Sequence, residues 1–192
     1  MNKQDRRSRR TEDALLRALA ELLKRKELRS ISVNELVQLA GLHRSTFYTH
    51  YSDIYALYHQ TEEKFLAVYQ DLLKESELHD YTGIFRSILS YMDENRVASE
   101  MFFGPHAEPT FRNRLTEFII EQYLRISAYE DGVQEPSPRW RALAAYHVGG
   151  MMSLSAAWVE SDYAIPKEEL SRLFIELDYS LADLRRKELE AQ

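Results

Sequence analysis

The sequence predicts an all-α chain, on three observations. Apolar residues recur at helical spacing along almost the whole length. Only 6 Gly and 5 Pro are spread over 192 residues, too few tight turns for a many-stranded sheet. No segment alternates apolar and polar residues as a half-buried strand would, and no internal repeat is present. Hydrophobic residues make up 44% and charged residues 29%, the balance of a folded protein and not of a disordered one.

The first helix is expected over residues 9–26. Ala14, Leu15, Ala18, Leu19, Leu22 and Leu23 form one apolar stripe, with Arg17, Glu21 and Lys24 opposite. Thr11 is its expected N-cap, followed by acidic Glu12 and Asp13; Lys24, Arg25 and Lys26 close the cation-favouring end. Ser32-Val33-Asn34-Glu35 then reads as a capping box that opens a second helix. Leu36, Val37 and Ala40 supply its inward face, and Gly41 suits the left-handed position that ends it. A short third helix follows from Arg44 to Tyr51, anchored by Phe47 and Tyr51. Ser52-Asp53 caps a long helix reaching Leu78. Further helices are expected at 81–94, 97–103, 110–130, 137–161 and 167–188. They are separated at Gly104-Pro105, Pro109, Gly132 to Pro138, and Pro166.

The formal charge of −6 and a pI of about 5.6 argue at first against nucleic acid. Divided at residue 51, the charge reads differently. Residues 1–51 hold eleven Lys/Arg against six Asp/Glu, a net of +5, and residues 52–192 hold fourteen against twenty-five, a net of −11. A basic head on an acidic body suits a nucleic-acid-binding domain with a regulatory domain attached. The same figures would also arise from a solvated Arg-rich tail.

The first three helices, joined by an Ala-Gly-Leu turn, form a helix-turn-helix arrangement. Two helices brace a third whose exposed side can enter a major groove ~12 Å wide. That third helix carries Arg44, Ser45, Thr46, Tyr48, Thr49 and His50, all able to hydrogen-bond.

Ala40-Gly41-Leu42 followed by Ser45-Thr46-Phe47-Tyr48-Thr49-His50-Tyr51 resembles the DNA-binding domain of the TetR family of transcriptional regulators. The likeness covers residues 10–58. A weaker one, in Phe102-Phe103-Gly104 and Trp158, extends into the later part. It implies a DNA-binding domain over 1–51 and a helical effector-binding and dimerisation domain over 52–192. By position, Arg44 and Ser45 would touch base edges, and Arg44 could read a guanine through O6 and N7. Thr11, Thr46, Tyr48 and His50 would contact phosphates, with His43 and Thr49 flanking them. Leu36, Val37, Ala40, Gly41, Phe47 and Tyr51 match the motif's core. Two positions depart from the pattern: Ile54 stands where many members place a phosphate-binding lysine, and Val37 where a small Ala is common. Arg6, Arg7, Arg9 and Arg10 could compensate by reaching along the duplex.

A palindromic operator requires a two-fold dimer. Ala142, Ala145, Gly149, Ser153 and Ala156 make a small-residue stripe suited to close helix approach. Leu170, Leu173, Phe174, Leu177, Leu181 and Leu184 make a stripe broader than one core needs. The expected interface therefore includes Ala145, Gly149, Ala156, Leu173, Leu177 and Leu181. A second stripe, with Trp140, His147, Met151 and Trp158, could line a pocket at His147 and Met151; such a His is more often a satisfied core histidine. With 12 Tyr and 8 Phe, the chain would suit a lipophilic or aromatic effector.

Enzymatic readings fail on chemistry. His106-Ala107-Glu108 matches half of a zinc-deaminase signature, but the chain has no Cys to complete it. No His-Glu-x-x-His, Gly-x-Ser-x-Gly or phosphate-cradling Gly loop occurs. No cofactor or metal is expected. Without an apolar segment after the basic residues 1–10, or a membrane-length apolar run, a cytoplasmic location is expected. The expected function is a DNA-binding regulator, a ligand-responsive repressor. The alternative is a co-activator or interaction module acting through another regulator.

Overall fold

The computed structural model describes the backbone of residues 3–75 and 81–190, and the side chains of 6–73 and 83–187. Among these residues it is all-helical: α1 (Lys3–Leu23), α2 (Val33–Ala40), α3 (Arg44–Tyr48), α4 (Ile54–Glu75), α5 (Tyr81–Glu94), α6 (Arg96–Phe103), α7 (Pro109–Glu130), α8 (Pro138–Glu160) and α9 (Lys167–Glu190). A short 3-10 turn, Leu28–Ser30, was not foreseen; it tucks Leu28 into the core. The expected end of the fourth helix at Leu78 lies outside the described residues.

The start of α1 differs from expectation. The helix runs back to Lys3 through a stretch of good helix formers, so Thr11 lies inside it and caps nothing. Its side chain is buried, and its hydroxyl donates to the Arg7 carbonyl at 3.1 Å, one turn back. Arg6, Arg7, Arg9 and Arg10 are therefore exposed residues of α1 and not a tail. The helix also stops at Leu23, three residues early. The carbonyl of that last residue is taken by the His106 ring, whose Nδ1 lies 2.9 Å away.

The remaining head follows its sequence with two differences. The third helix ends at Tyr48 and not Tyr51. The Glu35 carboxylate meets Lys26 at 2.5 Å, so only the Ser32 half of the capping box forms among the described residues. Ser32 caps α2, its hydroxyl accepting from the Glu35 amide at 3.3 Å. Gly41 has φ of +67°, and the Leu42 amide closes the helix on the Val37 carbonyl at 2.9 Å. Leu36, Val37, Phe47 and Tyr51 are buried and Ala40 is half-buried, so the three short elements share one core. Asp53 caps α4 by accepting from the Ala56 amide at 2.8 Å.

Head and body are joined by α1 resting on α6. Lys24 meets Glu100 at 3.1 Å, and this contact raises the Lys24 pKa above its ordinary value. Nearby, the Glu108 amide donates to the Tyr58 hydroxyl at 3.2 Å. Beneath lies an aromatic knot: Phe65 stacks on Tyr69 at 5.0 Å and meets Phe102 edge-on at 5.1 Å, with Phe111 4.5 Å from Phe102. Gly104 is required where α6 ends, because a Cβ there would fall 2.4 Å from the Glu100 carbonyl oxygen.

Candidate nucleic-acid interface

The turn after Gly41 projects α3 outward, and the side chains on that face are determined by which ones the core does not claim. Phe47 is fully buried, which turns His43, Arg44, Ser45, Tyr48 and Thr49 to solvent and leaves Thr46 and His50 half-covered. The expected reading residues are therefore brought together on one surface, Thr11 excepted.

Arg44 is held but not neutralised. Its Nη1 donates to the Asn34 side-chain oxygen at 3.3 Å, its Nη2 to the Tyr48 hydroxyl at 3.2 Å, and its guanidinium lies 5.4 Å from the Tyr48 ring centre. Lys24, Arg25, Lys26 and Arg29 each face a carboxylate, whereas Arg44 faces none among the described residues. An arginine aimed by neutral partners keeps its charge and most of its donors for a ligand. Asn34 is a member of this site that the sequence reading missed. Only its spacing, with α2 crossing α3, could have indicated it.

Other members are partly committed. The Thr49 hydroxyl donates to the Thr46 carbonyl at 2.6 Å, so it can offer a ligand only its lone pairs. His50 lies 3.9 Å from Glu12, which also faces Lys64 at 3.8 Å. Ile54, where a lysine contact was noted as missing, is buried and belongs to the core. Burial, with Glu12 nearby, pushes the Tyr51 phenol up to about 12, in keeping with an anchor and not a titrating group.

Comparison with known proteins settles the family. A TetR family model, described as the transcriptional regulator C-terminal region, matches residues 79–177. The chain belongs to the TetR family of transcriptional regulators. Among solved structures it is similar to native NalD from Pseudomonas aeruginosa, the secondary repressor of the MexAB-OprM efflux pump. That match has 16% identity and a TM-score of 0.63, covering 88% of this chain and 94% of that one. It is similar also to the fatty acid degradation regulator FadR from Bacillus halodurans (12%, 0.63, covering 90% and 94%). A TetR transcriptional regulator from Streptococcus agalactiae likewise matches (19%, 0.60, covering 91% and 96%). No curated relative matches. No helix among the described residues is long and apolar enough to cross a membrane.

Within the TetR body, the two stripes of α8 and α9 divide between core and surface. Leu170, Phe174 and Leu181 are buried, while Leu173, Leu177 and Leu184 remain about 40% exposed in one row of α9. On α8, Ala142, Ala145 and Ser153 face solvent with Tyr146, and Gly149 is half-covered. Ala156 and Leu181 are corrections to the expected interface: both are buried within the chain itself, because α8 and α9 turn those faces toward its core.

Between α4, α5, α7, α8 and α9 lies a cavity of about 70 Å³, walled by residues such as Tyr69, Phe85, Tyr123, Met151, Met152 and Phe174. Met151 lines it as expected. His147 does not. It lies in a buried polar cluster, its Nε2 3.2 Å from Asp178 and its ring 5.3 Å from Tyr123. Arg185, only 4% exposed, completes that cluster by donating to Asp131 at 3.0 Å and to the Tyr123 hydroxyl. Burial, reinforced by Asp178, holds the Tyr123 phenol far above its ordinary pKa and so protonated.

Proposed function

We propose that this TetR-family regulator binds a palindromic DNA operator as a homodimer and represses until a small lipophilic or aromatic molecule occupies its body. The observation that supports the reading most is Arg44: exposed, unneutralised, and aimed by Asn34 and Tyr48 from the first turn of the helix that faces outward. In this reading Arg44 and Ser45 touch base edges. Thr46, Tyr48 and His50 take phosphates, and His43 and Thr49 border them. The exposed rows on α8 and α9, including Ala145, Gly149, Leu173 and Leu177, meet their symmetry mates. The paired heads then span two half-sites ~34–36 Å apart.

The effector would act through α4. That helix starts directly after the reading head and carries Tyr69 and Leu73 to the cavity wall. A displacement of a few Å at most between the heads spoils a half-site fit. The protein thus works by binding and not by catalysis.

Gel-shift with the DNA upstream of its own gene tests this. The wild-type protein should retard it at low salt, and Arg44→Ala should not at the same concentration. No retardation by the wild type would favour an interaction module acting through another regulator. Deleting residues 1–10 should weaken binding and flatten its salt dependence, since the exposed Arg residues of early α1 neutralise phosphates in this account.

A further inference from the structure

The wall of the body cavity carries hydrophobic side chains with a small, uncharged polar spot. On this basis we propose that its ligand is an electrically neutral, mainly apolar molecule with a single hydrogen-bonding group, such as an alcohol or ketone. The inference rests on reading the cavity as the effector site.

Three observations lead to it. None of the residues that line the cavity carries a charge; its polar members are Tyr69, Tyr123, Gln122 and Ser155. A carboxylate or ammonium entering there would lose its hydration with no counter-charge on the wall, a far larger penalty than for a hydroxyl. Arg185, which is not part of the lining, is taken up by Asp131 and the Tyr123 hydroxyl. Tyr123 shows the cavity only a protonated phenol already bonded behind the wall.

The second observation is the state of Ser155. The hydroxyls of Ser153, Ser161 and Ser180 each return to a carbonyl of their own helix, at 3.0, 3.0 and 2.9 Å. Ser155 is 94% buried, lines the cavity, and makes no such bond among the described residues. Gln122, on the facing helix α7, also lacks a side-chain partner there. An unpaired hydroxyl on an otherwise apolar wall is a ready partner for one polar group of a ligand. A ligand hydroxyl or carbonyl would supply the pair, and the apolar remainder of the ligand would lie against Phe85, Met151, Met152 and Phe174.

The third is size. At about 70 Å³ the space is slender, below the ~150 Å³ of a dry cavity that holds benzene. A ligand therefore enters only as the wall gives way, which the unbranched Met151 and Met152 side chains allow by rotation.

The test is a matched series sharing one chain: 1-octanol, octanoate and octylammonium, titrated into the full-length protein without DNA at pH 7. Binding is followed by tryptophan fluorescence and by the melting temperature. 1-Octanol should bind, and should do so at least ~100-fold more tightly than either ion, given the cost of an unpaired buried charge. Ser155→Ala should weaken 1-octanol about three- to tenfold, the worth of one hydrogen bond, and Gln122→Leu should weaken it in the same direction. The inference is overturned if 1-octanol fails to bind, if either ion binds as tightly, or if both variants bind it unchanged. A parallel gel-shift keeps the two readings apart. Selective 1-octanol binding by a protein that never retards DNA would sink the regulator reading and support the cavity assignment.

Discussion

Arg44 in the head and Arg185 in the body carry the same charge under opposite constraints. Arg44 is exposed, held by an amide and a phenol at 3.3 and 3.2 Å, and faces no carboxylate among the described residues. Arg185 is 4% exposed, bonded to Asp131 and Tyr123, and lies 5.6 Å from the Trp140 ring centre. The first leaves its charge available to a partner; the second spends its charge on joining α7 to α9. Function in the head is therefore a matter of what the core leaves unclaimed, and in the body of what it encloses.

Breaking the exposed rows of the body should have the largest effect. Leu173→Glu with Leu177→Glu puts charges on side chains that are 37% and 41% exposed in the single subunit. The expected outcome is a folded monomer with no affinity for a full operator, checked by sedimentation and gel-shift. A dimer that survives would place the interface elsewhere.

Arg185→Leu comes next. It leaves Asp131 without the counter-charge 3.0 Å away and the Tyr123 hydroxyl without its donor, and should cost about 3–5 kcal/mol in denaturant unfolding. Arg44→Ala should leave unfolding within about 0.5 kcal/mol of wild type, because the side chain is exposed. It should lose about 1–3 kcal/mol of DNA affinity and relax specificity at one base pair. Reversal of these two outcomes would invert the comparison between head and body.

The smallest effect is electrostatic. Hydrogen bonding to Arg96, at 2.7 Å, and secondarily to Lys167 lowers the Asp93 pKa below its ordinary 3.8. A carboxylate held low contributes stability above its ordinary value, and the contribution fades as pH falls through that value and then through the folded one. The pair is largely solvated, so under about 1 kcal/mol is expected. Asp93→Asn should remove that part of the acid sensitivity in melting curves taken between neutral pH and pH 3. An unchanged curve would show the contact to be worth nothing.

The sequence conveyed the head almost residue by residue because its signals are local. The Ser32 cap, the left-handed Gly41 and the Phe47 anchor act within a few positions of each other, so spacing alone is informative. Thr11 failed because a cap signal competes with helix-forming Arg and Lys residues before it, and those prevailed. In the body, helix limits were legible from Pro and Gly, but the facing of each stripe was not. Ala156 and Ala145 look alike in sequence, and which one turns inward depends on how α8 rolls against α7 and α9. His147 likewise could not be assigned from its stripe. Its surroundings, Asp178 and Tyr123, arrive from helices distant in the chain.

The central claim is that α3 reads DNA and the body pairs two such heads. Selection of bound sequences from a random duplex library by the full-length protein tests it most directly. The account predicts enrichment of two inverted half-sites about one helical turn, or a multiple of it, apart, with a guanine preference that disappears in Arg44→Ala. Absence of any enriched sequence, or an enriched site indifferent to Arg44, would contradict it.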